Sequence, residues 1–236
     1  MESMEKLQND VQALLDIYNA LDPVQGPKKF DLEKVKEAVG KMADFIIENK
    51  DECEAFKAWM ESHQFYTTPA STKFHGNWDS GLCVHSLVVC AQALRFAQAF
   101  LLNYKSSPFG KTCTAFDYTA EDVFVAAMAH DFCKANSYKI EFRNTKDING
   151  NWTKKPIFKT KEELRNLGHG NESVLNLLEC MPSFLKKRNV LEAISRHMGF
   201  SDLTDVEKIN YSNFLQNPLV LLLQYADQSA AAWWDC

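Results

Sequence analysis

No C-x-x-C pair occurs in this 236-residue sequence, and its seven cysteines are odd in number and scattered from Cys53 to Cys236. Neither a disulfide framework nor a cysteine-based zinc site is therefore expected, and a reducing cytoplasm is the compartment that such usage fits. Long apolar runs are missing as well: Leu219 to Leu223 holds five residues, where a membrane span needs about 20. The first residues, Met1-Glu-Ser-Met-Glu-Lys, are polar and charged with no apolar segment behind them, so no leader is expected. There is no repeat and no low-complexity stretch. These absences leave a soluble globular chain, 46% hydrophobic, large enough to bury a core as one domain or one domain with a helical extension.

Bases are absent where two acids would want them. No lysine or arginine follows Lys208, yet Asp227 ends the run Leu219-Val-Leu-Leu-Leu-Gln-Tyr-Ala-Asp227; the nearest base upstream of His130-Asp131 is Lys111, and Phe124-Val-Ala-Ala-Met-Ala precedes the pair. A buried carboxylate must be neutralised by a proton, a distant cation or a metal. The plainer reading of Asp227 alone is a partly exposed acid on the polar side of an amphipathic helix. The net charge of −5 hides an opposite concentration: Lys134 to Arg165 carries nine bases against four acids, an excess of five, so the remainder carries −10. Such a segment either focuses an anionic substrate or is an ordinary solvated hairpin.

Helical spacing appears in Leu7, Val11, Leu14, Leu15 and Tyr18, and again in Val35, Val39, Met42, Phe45 and Ile46, with a break at Pro23 to Pro27. Nothing catalytic is legible before about residue 70, so residues 1–66 read as a helical extension serving as cap, lid or dimer surface. A long apolar helix from Leu82 to Leu102 carries His85, and Thr119-Ala-Glu-Asp122 is a capping box opening the helix that ends at His130-Asp131. Lys139–Arg143 and Trp152–Lys159 flank Asp147-Ile-Asn-Gly150, whose Asn-Gly is the favoured type I′ pair, so one small β-hairpin is expected at about 138–160. Helices resume near His169. Asn217-Pro218 supplies an N-cap and first-turn proline for the last helix. The fold class is all-α with one hairpin insertion.

Four histidines and two aspartates stand out: His85, His130, Asp131, His169, His197 and Asp227. Imidazole and carboxylate hold divalent cations, and six such donors allow two ions sharing a bridging carboxylate. Adjacent helical side chains diverge by about 100°, so His130 and Asp131 can reach one cation at the helix edge. His169 lies in Leu167-Gly-His-Gly170 and His197 in Ile194-Ser-Arg-His-Met-Gly199, where glycine lets backbone approach a ligand or cap a helix. These two either ligate a second ion or bind only substrate phosphate. Glu172 is placed to orient the His169 ring, and His75 or Asp79 in the Phe74–Gly81 loop to face substrate.

At these residues the chain resembles the HD-domain superfamily of metal-dependent phosphohydrolases. The motifs are Gly81-Leu-Cys-Val-His-Ser86, Ala127-Met-Ala-His-Asp-Phe-Cys-Lys134, Leu167-Gly-His-Gly-Asn-Glu-Ser173, Ser195-Arg-His-Met-Gly199 and Tyr225-Ala-Asp-Gln-Ser-Ala-Ala231. They fall in family order across roughly residues 70–232, and the two extra histidine motifs are similar to those of the two-metal subgroup. The resemblance implies an HD-type helical bundle over 67–236. It implies a first metal on His85, His130, Asp131 and Asp227, and a second on Asp131, His169 and His197, with Asp131 bridging. Lys134 is implied as the phosphate contact, assisted by Arg143 or Arg196. The chain departs from the subgroup in lacking both a Gly-Tyr-Pro signature after the doublet and a preceding OB-fold.

The expected activity is hydrolysis of a phosphoester or phosphoanhydride of a nucleotide or small phosphorylated metabolite, using two divalent ions drawn from Mn, Fe, Ni, Mg and Zn. An RNA or DNA end is the less favoured substrate, a membrane is not expected, and a homodimer is open. Tyr138, Phe142 and Trp152, interleaved with the hairpin bases, either stack on a nucleobase or pack the hairpin onto the core, packing being the expectation. Two other functions stay open: a mixed-valence di-iron oxygenase using the same ligand types, and a non-catalytic nucleotide-binding regulatory module.

Overall fold

A computed structural model describes residues 2–113, 115–146, 148, 150–161 and 167–236. The first helices are α1 (Glu2–Leu21), α2 (Leu32–Ile46) and α3 (Lys50–Ser62), with a short antiparallel pair, β1 (Val24–Gly26) and β2 (Lys29–Phe30), in the proline-marked break. Leu7, Val11, Leu14 and Tyr18 of α1 are buried, as are Val35, Val39, Met42 and Ile46 of α2, which is what their spacing of three and four dictates. Phe45 sits at the rim of that stripe, 48% exposed. In α3 acids and lysines interrupt the apolar pattern, and the helix is fixed by its ends and its packing. The Asn49 side chain accepts from the Asp51 and Glu52 amides, and the Trp59 ring stacks on Phe132 with centroids 4.3 Å apart.

The centre of the molecule is α4 (Gly81–Ser106), followed by α5 (Pro108–Thr112) and α6 (Ala120–Ala129). By length and mean hydropathy α4 could cross a membrane, but 72% of its most apolar window is buried within the fold. A helix apolar all round is what a core position demands. The N-terminus of α6 is held by the expected reciprocal cap, Asp122 N–H donating to Thr119 Oγ1 at 3.2 Å and Thr119 N–H to Asp122 Oδ2 at 2.9 Å. A single 3₁₀ turn, Phe132–Lys134, then leads to the hairpin β3 (Tyr138–Lys146) and β4 (Trp152–Thr160). Its register runs from Tyr138↔Thr160 to Lys146↔Trp152, within the expected span, with the first strand longer than the Lys139–Arg143 run. Asp147 and Asn149 of the expected Asp147–Gly150 turn lie outside the described residues.

The remaining helices are α7 (His169–Cys180), α8 (Arg188–Ser195), the short α9 (Asp205–Ile209) and α10 (Tyr211–Phe214), and α11 (Pro218–Trp234). Asn217 caps α11 by accepting from the Leu219 amide at 3.0 Å. α11, α6 and α1 pack around α4, and the apolar cluster is continuous from Leu7 to Cys236. Gly170 decides how α7 meets α8: a Cβ there would lie 2.2 Å from the Ser195 carbonyl oxygen. Its missing side chain admits a neighbouring helix, while the other glycine of the motif, Gly168, caps α7 as expected of a glycine there. The protein is mostly helical with two small two-stranded sheets.

Candidate metal centre

Five elements converge on one cluster. His85 comes from the first turns of α4, His130 and Asp131 from the end of α6, and His197 from just beyond α8, and each is at most 1% exposed. His169 opens α7 and Asp227 lies on α11. The helix ends explain the ring orientations. The last carbonyls of a helix lack amide partners, and His130 and His197 each turn Nδ1 back onto the carbonyl three residues before, Ala127 O and Ile194 O, both at 2.7 Å. His85 Nδ1 meets the Cys236 carbonyl at 2.6 Å. A carbonyl can only accept, so Nδ1 carries the proton in all three rings and the Nε2 lone pairs face inward.

Those nitrogens gather on the two aspartates. His85 Nε2 and His130 Nε2 are 3.2 Å apart, and they lie 3.6 and 3.4 Å from Asp131 Oδ2. Asp227 Oδ1 is 3.1 Å from His85 Nε2 and 3.9 Å from His130 Nε2. Donors at about 2.1 Å from a tetrahedral ion are separated by about 3.4 Å, so this spacing matches coordination of one cation. Two imidazole lone pairs facing each other across 3.2 Å repel unless a cation or proton lies between them.

The other carboxylate oxygen, Asp131 Oδ1, serves a different pair. His169 Nε2 is 2.6 Å from it and His197 Nε2 3.5 Å. The ionised carboxylate only accepts, so His169 Nε2 carries a proton here, and its Nδ1 faces Cys133 Sγ at 3.4 Å. His197 Nε2 is buried with no hydrogen-bond partner among the described residues, an orphan that a cation would satisfy. Within this cluster two groups could hold a metal ion, His85, His130 and Asp131, and Asp131, His169 and His197; the second is internally hydrogen-bonded between His169 and Asp131.

Charges in the cluster follow from burial and neighbours. Burial works to raise the Asp131 carboxyl, but Lys134 and His130 outweigh it and hold it well below the usual carboxylate range. Asp227 is likewise lowered, burial being overcome by His85 and His130. Burial pushes the His130 ring down, against the pull of Asp131. Lys134 Nζ lies 2.6 Å from Asp131 Oδ2, and that carboxylate outweighs burial to raise the ammonium above its ordinary value. Burial, then His85 and Lys134, push His75 down to about 4; its ring lies 4.9 Å from that of His85.

Other expected site residues are placed elsewhere. Arg196 pairs with Glu207 at 2.7 Å and lies over the Phe214 ring at 4.4 Å. Arg143 is exposed on the hairpin opposite Lys155. Glu172 sits on α7, but the described partners of the His169 ring are Asp131 and Cys133. Asp79 lines a surface cleft beside the loop that carries His75. Sequence reasoning missed Cys133, whose signal was its place two residues after Asp131. It also missed the carbonyls of Ala127, Ile194 and Cys236, for which side-chain identity gives no signal.

The fold and site define a mostly helical protein with a buried histidine–aspartate cluster able to hold metal. Comparison with protein-family models, curated proteins and solved structures finds no match to this chain.

Proposed function

We propose that the chain is a metal-dependent phosphohydrolase of the HD-domain type. Its substrate would be a phosphoester or phosphoanhydride of a nucleotide or small phosphorylated metabolite. The observation that carries this reading is the division of Asp131, with Oδ2 among His85 and His130 and Oδ1 between His169 and His197. His85, His130, Asp131 and Asp227 would hold one ion, and Asp131, His169 and His197 the other. Bound there, such ions supply Lewis acidity toward phosphoryl oxygens and lower the pKa of water to near neutrality.

The protein's own groups have separate tasks. Lys134 brings a cation to the edge of the cluster, kept charged by Asp131, and holds an incoming phosphoryl oxygen. His75, neutral at pH 7 because burial lowers it to about 4, offers a hydrogen bond without adding charge. The apolar helices around His85, His130 and His197 exclude bulk water, which strengthens every charge interaction at the site.

The test is metal analysis of anaerobically purified protein, followed by phosphate-release and oxygen-consumption assays on a nucleotide panel with Mn²⁺, Fe²⁺, Ni²⁺, Mg²⁺ and Zn²⁺. Up to two ions per chain and release of phosphate support the proposal. Oxygen uptake without hydrolysis of any phosphoester overturns it in favour of an oxygenase. Nucleotide binding without turnover under any metal overturns it in favour of a regulatory module.

A further inference from the structure

The hairpin does not pack its aromatic face onto the core. Partners across an antiparallel pair share a face, and alternate residues share it along a strand. One face therefore carries Ile140 with Phe158, Phe142, Asn144 with Lys154, and Lys146 with Trp152. On that face Ile140, Phe142 and Trp152 are 57%, 68% and 71% exposed, so the packing expected of Phe142 and Trp152 is not what the chain adopts. Near its base this face forms one wall of a cleft of about 680 Å³, whose other wall is the loop bearing Phe74 and Trp78, with Lys28, Lys73 and Lys155 also lining it. Trp78 keeps a buried indole N–H with no acceptor among the described residues.

Two residues of the cleft wall each neighbour in the chain a group that touches His85. Phe74 precedes His75, whose ring lies 4.9 Å from His85. Asp235, also in the cleft wall, precedes Cys236, whose carbonyl accepts from His85 at 2.6 Å. Charge identifies the occupant. From Tyr138 to Lys161 there are seven bases against two acids, and one of those acids, Glu141, is paired with Lys139 and Lys159. Exposed aromatics on one face of the two strands, with bases on the same face, form a platform on which bases stack while phosphates meet lysine. A mononucleotide would fill the cleft and leave Trp152, Lys146 and Lys154 unused. A strand would use the whole face.

We propose that single-stranded nucleic acid lies along this hairpin face, with bases on Phe142 and Trp152 and phosphates on Lys146, Lys154 and Lys73. Its end enters the cleft beside the histidine–aspartate cluster. Hydrolysis of that end rests on the phosphohydrolase reading, whereas binding does not.

The experiment is fluorescence anisotropy of a labelled 12-nucleotide polyuridylate with the full chain in EDTA, which separates binding from turnover. Binding is expected to weaken by about 20-fold between 50 and 200 mM salt if three phosphates are contacted. Phe142→Ala and Trp152→Ala are each expected to weaken it by about ten-fold, and Lys146→Gln/Lys154→Gln to reduce the salt dependence. Phe109→Ala, an exposed aromatic on α5 past the end of α4 remote from His85, should leave it unchanged. Circular dichroism of each variant verifies folding.

No binding at 50 mM salt overturns the inference. So does wild-type affinity in the Phe142→Ala/Trp152→Ala double variant, or equal affinity for a duplex of the same length. Dissociation of a homodimer by Phe142→Ala with no change in oligonucleotide affinity overturns it too, assigning the face to a second copy. Phosphate release from mononucleotides without oligonucleotide binding removes this inference alone. Oligonucleotide binding without hydrolysis under any metal removes the phosphohydrolase reading alone.

Discussion

Replacing His197 by alanine should take one ion from the protein and leave the other. The ring contributes to the Asp131 Oδ1 side only, at 3.5 Å, and its sole described hydrogen bond runs from Nδ1 to Ile194 O at 2.7 Å. Removing a group that merely orients a metal ligand costs about 10–100-fold in affinity, so loss of the donor itself should cost at least about 100-fold. At an ion concentration 100 times the dissociation constant a site stabilises the fold by about 2.7 kcal/mol, and at a 100-fold weaker constant by about 0.4 kcal/mol. The metal-induced rise in stability should therefore shrink by about 2.3 kcal/mol. For a chain of this size that is about 5–9 °C of melting temperature. Thermal melts of wild type and variant, each with and without Mn²⁺, measure the difference, and elemental analysis counts the ions. Comparing each protein with its own metal-free form removes the cost of the cavity. An unchanged ion count and an unchanged metal-induced shift in His197→Ala would refute the division of Asp131 between two ions.

Lys134→Ala should keep the full complement of ions while lowering phosphate release by about 100-fold, the scale seen when one charge-stabilising donor is removed; equal turnover in the two proteins would show that the ammonium serves only Asp131. Gly170→Ala forces a Cβ against the Ser195 carbonyl and should cost about 1–3 kcal/mol. Because α7 carries His169 and α8 leads into His197, urea denaturation and metal titration should show the variant both less stable and weaker for the second ion only. His75 has a folded-state pKa near 4 against about 6.5 unfolded, so the unfolded chain takes up its proton first. The stability His75 allows is complete above pH 6.5 and is lost as pH falls from 6.5 to about 4. Metal-free His75→Asn should lose stability less steeply than wild type across that window, and parallel curves would count against a buried neutral ring.

Periodicity and capping rules locate α1, α2, α4, α6 and α11 in the sequence because each has a strong local cause: an apolar stripe, the Thr119 box, or Asn217-Pro218. The six candidate ligands are legible for a related reason, since polar residues in apolar settings require an explanation that the local sequence withholds. α3 is different. Its burial comes from contacts such as Trp59 on Phe132, 73 positions away in the chain, and no local pattern encodes a contact at that distance. The fate of Phe142 and Trp152 is equally non-local, because alternation states which residues share a hairpin face but not whether a core lies beneath it.

The same distinction separates the two halves of the metal centre. His85 and His130 are oriented by backbone carbonyls, which no change of state in the cluster alters, so their Nε2 lone pairs are presented before any ion arrives. His169 is oriented by Asp131 itself, through a proton that must leave before Nε2 can coordinate. The half built on His85, His130 and Asp227 should therefore fill first, since the His169 proton has first to move from Nε2 to Nδ1, which faces Cys133. On the two-ion proposal a single carboxylate would link the two events: an ion drawing on Asp131 Oδ2 would lower the basicity of Oδ1, loosen its hold on His169 and prepare the second position.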